Sequence, residues 1–185
     1  MDNDPSGDGE GNARLGNIQF VSDYIDPRKG HDVACDPNDP TEAELRLFKT
    51  NSPKLVLCNE AFAYGVIGTK AYTGAPGVTC NTIYPRVSWR METFGHNLLH
   101  EYTHWDKLLV EIFEGPFGIK GIEDVDPENT VAGPYGCWAV RQLDRPQSQR
   151  NADSYAWLAS EVWWTQTCFS THGYLQEPRR EDNAP

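Results

Sequence analysis

A regular recurrence of apolar residues between positions 94 and 113 gives the clearest structural signal in this chain. The recurring residues are Leu98, Tyr102, Trp105, Leu109 and Ile112. Their spacing of three and four residues puts them on one face of a helix, which predicts a long helix buried on one side. Thr93 or Gly95 can begin this helix, and Gly115 follows its end.

Two further segments have helical patterns. In residues 151–168 the apolar positions that predict a buried face are Tyr155, Leu158 and Val162, with Ala159 and Trp163 at its flank. Asn151 stands where an N-cap is expected. Residues 41–51 are also predicted to be helical, because Thr41 is followed three residues later by Glu44 in the pattern of a capping box.

Short apolar runs at residues 18–21, 54–58 and 62–67 predict three strands. Strands and helices together indicate an α+β fold that is mainly helical, with a small sheet against the 94–113 helix. The length of 185 residues suits one domain, which we place at residues 15–177.

Both ends of the chain have a different composition from this domain. Residues 1–14 are charged, glycine-rich and nearly free of large apolar side chains, and residues 178–185 are similarly polar. Segments of this kind bury too little apolar surface to offset the entropy of ordering them. We therefore expect an acidic disordered tail at residues 1–14 and another disordered tail at residues 178–185.

Within the first helix, His100, Glu101 and His104 form an H-E-x-x-H motif. Histidines four positions apart share a helix face, so both imidazoles can bind one metal ion, and Glu101 can act as general base toward a zinc-activated water. The alternative is a core helix with two hydrogen-bonded histidines. His96, one turn earlier, is expected to neighbour the site, because three successive helical turns rarely serve one tetrahedral ion.

Charge and cysteine content narrow the class of protein. The net charge of −11 argues against nucleic-acid partners and anionic membranes, and no apolar run is long enough to span a bilayer. The five cysteines are widely spaced and form no C-x-x-C pair, which fits a secreted protein with disulfide bonds and at least one unpaired thiol. A reduced cytosolic protein with buried cysteines is the alternative.

Three motifs resemble those of the deuterolysin-like fungal metallopeptidases, the aspzincins, which include peptidyl-Lys metalloendopeptidases. The first is the His-Glu-Tyr-Thr-His run at 100–104, and the second is Tyr135 with Gly136, similar to the end of the family's G-T-x-D-x-x-Y-G motif. The third is Asn-Ala-Asp-Ser-Tyr-Ala at 151–156, similar to the family's N-A-D-x-Y helix. The resemblance covers about residues 54–168 and implies a zincin-like fold.

The resemblance also implies a function and a role for each matching residue. It implies a secreted endopeptidase, expected to be monomeric, that holds one Zn²⁺ ion and hydrolyses polypeptide substrates. His100 and His104 would bind zinc, and Glu101 would be the general base. Tyr135 would stabilise the oxyanion through its hydroxyl, and Asp153 would line the pocket for the substrate side chain after the scissile bond.

The third zinc ligand is left open by the sequence. A gap-free alignment back from Tyr135 puts Ala132, which cannot bind a metal, where the family has its ligand aspartate. Matching residues 121–124 to the G-T-x-D half, with an insertion before Tyr135, makes Asp124 the ligand, and this is the alignment we favour. Asp126 and Asp153 are the rivals for this position.

The break in the second motif keeps a different class of function in view. The chain can be a catalytically weak or inactive zinc-binding or interaction protein on a peptidase scaffold. It can also be a structural domain in which the histidines only pack. Strict lysine specificity is in question too, because Ala156 stands where the lysine-specific branch has a second acid.

Overall fold

The computed structural model describes residues 18–21, 43–46, 53–58, 78–105, 122–125, 135–169 and 175–183, and they form a small α+β structure. The strands are β1 (Gln19–Val21), β2 (Ala43–Arg46) and β3 (Lys54–Leu57). The helices are α1 (Phe94–Thr103), α2 (Arg145–Ser148) and α3 (Ala152–Cys168). Single 3₁₀ turns occur at Trp89–Met91, Ala139–Gln142 and Arg180–Asp182.

The three strands form one sheet in the order β1-β3-β2, with β3 in the centre. β1 runs parallel to β3, and β2 runs antiparallel to it. Leu55 and Val56 of β3 are fully buried, as expected for a central strand rich in branched apolar residues. The predicted strands at 18–21 and 54–58 are confirmed, whereas the one at 62–67 lies outside the described residues.

The helix predicted over residues 41–51 is wrong, because Ala43–Arg46 is strand β2. The local capping pattern that suggested a helix is outweighed by backbone pairing along the full length of β3. This pairing buries Leu45 beside Ile18, Leu55 and Trp105. A non-local contact of this kind leaves no signal in the local sequence.

Helix α1 begins where the sequence predicts, with the Thr93 hydroxyl accepting the backbone N–H of His96 at 3.1 Å. One face of α1 carries Leu98 and Tyr102, which pack against the apolar cluster of β2 and β3. The opposite face buries polar side chains against α3. The predicted extension beyond residue 105 lies outside the described residues. Helix α1 is therefore held between the sheet and α3.

Helix α3 has the predicted bounds, but the face predicted to be buried is wrong. Leu158 and Val162 are 63% and 47% exposed. The buried positions of α3 are Ala152, Asp153, Ala156, Trp157, Ser160 and Trp164. Its two tryptophans belong to a buried apolar cluster that includes Val87 and Met91, and its two polar residues meet α1. A search for aliphatic side chains therefore selects the wrong side.

A disulfide bond joins Cys80 to Cys168 at the end of α3. Cys137 is a buried free thiol, in agreement with the unpaired cysteine expected from the odd count. No helix within the described ranges is long and apolar enough to cross a bilayer.

The structure differs from the prediction for the C-terminal segment. Residues 178–183, assigned to a disordered tail, contain the buried Pro178 and the 3₁₀ turn Arg180–Asp182. Their contacts with the rest of the protein explain the difference, because Asn183 is bonded to the backbone near residue 138. The predicted tail at residues 1–14 lies outside the described residues.

Candidate metal centre

Three side chains bring one ligand atom each to the same point: His100, His104 and Asp124. The Nε2 atoms of the two histidines are 3.3 Å apart. Asp124 Oδ1 lies 3.1 Å from Nε2 of His100 and 3.4 Å from Nε2 of His104. This group could bind a metal ion.

The segment that carries Asp124 is attached to the start of α3. Glu123 forms a parallel bridge with Asn151, in which its N–H donates to the Arg150 carbonyl at 2.8 Å and its carbonyl accepts from Ala152 at 3.0 Å. The Asn151 side chain accepts the N–H of Val125 at 3.0 Å. Asn151 is thus at the predicted N-cap position but its oxygen fixes the ligand segment instead of capping the helix.

The other ring nitrogen of each histidine identifies where the protons lie. Nδ1 of His104 is 3.1 Å from the Ile122 carbonyl, and Nδ1 of His100 is 3.4 Å from Asp153 Oδ1. A carbonyl and a carboxylate only accept, so each Nδ1 carries a proton. In neutral histidines both Nε2 atoms then present lone pairs toward each other and toward the Asp124 carboxylate. Three acceptors at these distances are favoured by a positive charge between them, from protons or from a metal ion.

In the metal-free protein, protons supply this positive charge. Burial alone would lower the pKa of His100, but Asp124 and Asp153 outweigh it and raise the pKa to about 10. Burial also opposes the charged form of His104, and Asp124 again raises the pKa above its ordinary value. Burial would raise the pKa of Asp124, but the two histidines lower it far below its usual range.

Glu101 lies next to this group without being one of the three ligands. Its Oε2 accepts the backbone N–H of Leu45 at 2.7 Å, so strand β2 holds the carboxylate. Burial raises the pKa of Glu101, while His100 and His104 act in the opposite direction. The arrangement favours a carboxyl group that can take up a proton more readily than an exposed glutamate.

Tyr135 is at the exposed side of the site, with 44% of its surface accessible. Its ring centroid is 5.8 Å from that of His100. Burial, the charge of Asp124 and a hydrogen bond to Asp124 raise the pKa of the Tyr135 hydroxyl well above its ordinary value. The hydroxyl therefore remains protonated and can act as a hydrogen-bond donor.

Asp153 is buried behind His100. Its Oδ1 contacts His100 Nδ1 and also His96 Nε2, at 3.2 Å, and its Oδ2 accepts the N–H of Gly136 at 2.7 Å. The second nitrogen of His96 is 3.0 Å from the Ser160 hydroxyl. Both oxygens of Asp153 thus contact protein partners, and its substrate-binding role stays a prediction.

These positions bear on the choice of third ligand. Asp124 meets the Nε2 side of both histidines, whereas Asp153 meets the Nδ1 side of His100. Among the described residues, Asp124 is therefore the carboxylate that joins His100 and His104 in the group that could bind a metal ion. His96 faces Asp153 and Ser160, in agreement with its expected place beside the site. Asp126 and Ala132 lie outside the described residues.

Sequence reasoning missed several supports of this site. They are the Leu45 amide, the Ile122 carbonyl, the Asn151 side chain and Asn183. Two are backbone groups, which carry no residue-type signal.

Comparison of the chain with protein-family models, with curated proteins and with solved structures finds no match in any of the three.

Proposed function

We propose that this protein is a secreted zinc endopeptidase with a zincin-like fold of the deuterolysin type. One observation carries the proposal: the three ligand atoms of His100, His104 and Asp124 are separated by 3.1, 3.3 and 3.4 Å. Ligands placed tetrahedrally at zinc–nitrogen and zinc–oxygen distances lie about 3.3 Å from each other. The group thus has the dimensions of three corners of a zinc tetrahedron.

The donor set also fits zinc. Two imidazole nitrogens and one carboxylate oxygen are typical of catalytic zinc sites, which keep a fourth position open. Asp124 is 37% exposed and Tyr135 stands at the same open side, so solvent and substrate have access. A zinc ion here would polarise a peptide carbonyl and lower the pKa of water to about 7.

The chain's own residues supply the proton transfers and the positioning. Glu101, held by the Leu45 amide, takes a proton from the attacking water and passes it to the leaving amine. The protonated Tyr135 hydroxyl donates to the oxygen that gains negative charge as the carbonyl is attacked. The Ile122 carbonyl and Asp153 keep the Nε2 atoms of the histidines directed toward the metal position.

The remaining parts of the proposal concern substrate and location. The substrates we propose are polypeptides, cleaved without strict preference for lysine, because Asp153 is engaged by the protein itself. The Cys80–Cys168 disulfide is compatible with secretion.

A second candidate function is zinc binding without efficient catalysis. The observation that favours it is the hydrogen bond from the Leu45 N–H of β2 to Glu101 Oε2, because this bond restricts the movement of the carboxylate. The two functions share the metal site and differ in whether Glu101 transfers protons. Zinc affinity and peptide cleavage therefore have to be measured separately.

The first test is zinc affinity, measured by competition with a chromophoric chelator. Asp124→Ala removes a ligand, and we expect the affinity to fall by more than about a hundredfold. Glu123→Ala is the matched control, because it removes the neighbouring exposed acid and the same charge. Equal losses in the two variants would assign the third ligand elsewhere and contradict the proposal.

The second measurement is casein cleavage by Glu101→Gln, which preserves the shape of the side chain and its acceptor for Leu45. We expect cleavage to fall by about 10² to 10⁴ while zinc affinity is kept. Undiminished cleavage would show that Glu101 is not the base. A wild-type protein that binds zinc and leaves casein intact would favour the second candidate function.

A further inference from the structure

The turn that carries Tyr135 is held by a part of the chain far away in sequence. The Asn183 side chain accepts the N–H groups of Trp138 and Ala139, both at 2.9 Å. Its own amide N–H donates to the carbonyl of Tyr135 at 2.9 Å. These three hydrogen bonds of the Asn183 side chain are therefore all made to backbone groups within residues 135–139.

Gly136 allows this close approach. It has a φ of +98°, and a Cβ placed there would lie 2.5 Å from Asn183 Oδ1. On its other side the Gly136 N–H donates to Asp153. The backbone next to Tyr135 is thus enclosed between a side chain of the C-terminal segment and a side chain of α3.

The C-terminal segment is anchored to the protein independently of the metal centre. Gln176 pairs with the backbone on both sides of Arg86, through Val87 N to Gln176 O at 3.1 Å and Gln176 N to Pro85 O at 2.8 Å. The Arg86 guanidinium donates to the Glu177 carbonyl at 2.9 Å. These contacts give Asn183 a fixed support from which to hold the turn.

We propose that Asn183 is a positioning residue for Tyr135. The proposal rests on the proposed function, in which the Tyr135 hydroxyl stabilises the oxyanion. By fixing the Tyr135 carbonyl and the amides of Trp138 and Ala139, Asn183 sets the direction in which the Tyr135 side chain leaves the backbone. The ring then lies beside His100, with its centroid 5.8 Å from that of the imidazole. The zinc ligands have their own supports at Ile122 and Asp153.

The test compares Asn183→Ala, Tyr135→Phe and the double variant in the full chain. Loss of an oxyanion donor lowers kcat by about a hundredfold, and we expect Asn183→Ala to lower it by at least tenfold with KM nearly unchanged. The double variant should be no slower than Tyr135→Phe alone, and Asn183→Ala should bind zinc within twofold of the wild type. A double variant in which the two losses multiply would overturn the proposal.

A second readout does not depend on catalysis. Backbone hydrogen exchange at Gly136, Trp138 and Ala139 is measured in the zinc-free protein, with the amides of β3 as internal reference. We expect exchange of the Gly136 amide to rise at least tenfold in Asn183→Ala while the β3 amides are unchanged. An unchanged Gly136 amide would overturn the positioning role even if the wild type cleaves casein.

This second readout also separates the two proposals. A wild type without peptidase activity would contradict the proposed function, whereas the exchange rates would still decide whether Asn183 holds the turn. Should Asn183→Ala fail to fold, Asn183→Gln supplies the test, because its longer side chain cannot make the same three contacts. The same rise at Gly136 is expected there, and its absence would again overturn the proposal.

Discussion

At the scale of single residues, the candidate site is defined by which atoms carry protons. The Ile122 carbonyl and the Asp153 carboxylate each accept from an Nδ1–H, so they select one tautomer for His104 and His100. Both Nε2 lone pairs then face Asp124. Without a metal ion this arrangement retains protons, and in the proposed zinc-bound protein it would supply the ligand set.

Zinc binding is therefore expected to release protons. The pKa of His100 is raised to about 10 in the metal-free protein, so at pH 7 its imidazole is charged and has to lose a proton to become a ligand. We expect at least one proton released per zinc ion at pH 7. Apparent zinc affinity should rise about tenfold per pH unit for each proton released, and level off as pH passes about 10.

Titration calorimetry in two buffers of different ionisation enthalpy measures this release directly. The difference in observed binding enthalpy divided by the difference in buffer enthalpy gives the number of protons. Identical binding enthalpies in the two buffers would contradict the assigned protonation of the histidines.

At the scale of elements, the contact between α1 and α3 is a buried polar layer. His96 and His100 come from α1, and Asp153 and Ser160 come from α3. Each of these groups has a hydrogen-bonding partner within the layer, so burial leaves none of them unsatisfied. The pairing of the two helices thus orients His100, a proposed metal ligand, as part of the fold itself.

The variant Asp153→Asn tests this role of the helix pair. An asparagine keeps the size of the side chain and loses one of its two acceptor oxygens, so it cannot serve both His100 and Gly136. We expect zinc affinity to fall by about 10- to 100-fold, as for other residues that orient ligating histidines. Zinc affinity is measured by competition with a chromophoric chelator, as for Asp124→Ala.

Ser160→Ala is the control for this prediction. It removes the second partner of His96 from the same buried layer without contacting His100. We expect its zinc affinity to stay within about threefold of the wild type. Equal losses in Asp153→Asn and Ser160→Ala would point to general loosening of the layer.

The sequence predicts those helices and strands that have a strong local pattern of apolar residues. Helices α1 and α3 and strands β1 and β3 each have a periodic or continuous apolar run. The H-E-x-x-H spacing likewise places His100 and His104 on one helix face without knowledge of the fold. Asp124 was selected only through an alignment that needs an insertion, and its meeting with both histidines agrees with that choice.

The features that sequence could not provide depend on contacts between distant segments. Strand β2 exists through its pairing with β3, and the buried face of α3 is decided by the polar residues of α1. Asn183 looked like part of a polar tail, since nothing around it is apolar enough to predict burial. Its partners are backbone groups that lie 44 to 48 positions earlier in the chain.

At the scale of the whole molecule, one covalent bond encloses the site. Cys80 and Cys168 are 88 residues apart, and all six candidate residues lie between them in the chain. Closing a loop of this length removes much of the conformational freedom of the unfolded chain. The disulfide therefore stabilises the part of the fold that brings α1, the Asp124 segment, Tyr135 and α3 together.

Replacing both cysteines by serine should lower the free energy of unfolding by about 4.6 kcal/mol, the loop-entropy value for this length. Urea unfolding followed by tryptophan fluorescence measures the change. Cys137→Ser is the control, because it alters a buried cysteine outside the bond. A loss no greater than that of the control would show that the loop contributes little to stability.

The amide of Asn183 is also a group through which chemical ageing would act on the turn that carries Tyr135. Asparagine side chains are thermolabile, and hydrolysis turns the amide into a carboxylate. The new oxygen would still accept from Trp138 and Ala139, but it would repel the Tyr135 carbonyl to which the amide now donates. Ageing samples would then keep their zinc content after their turnover has begun to decline.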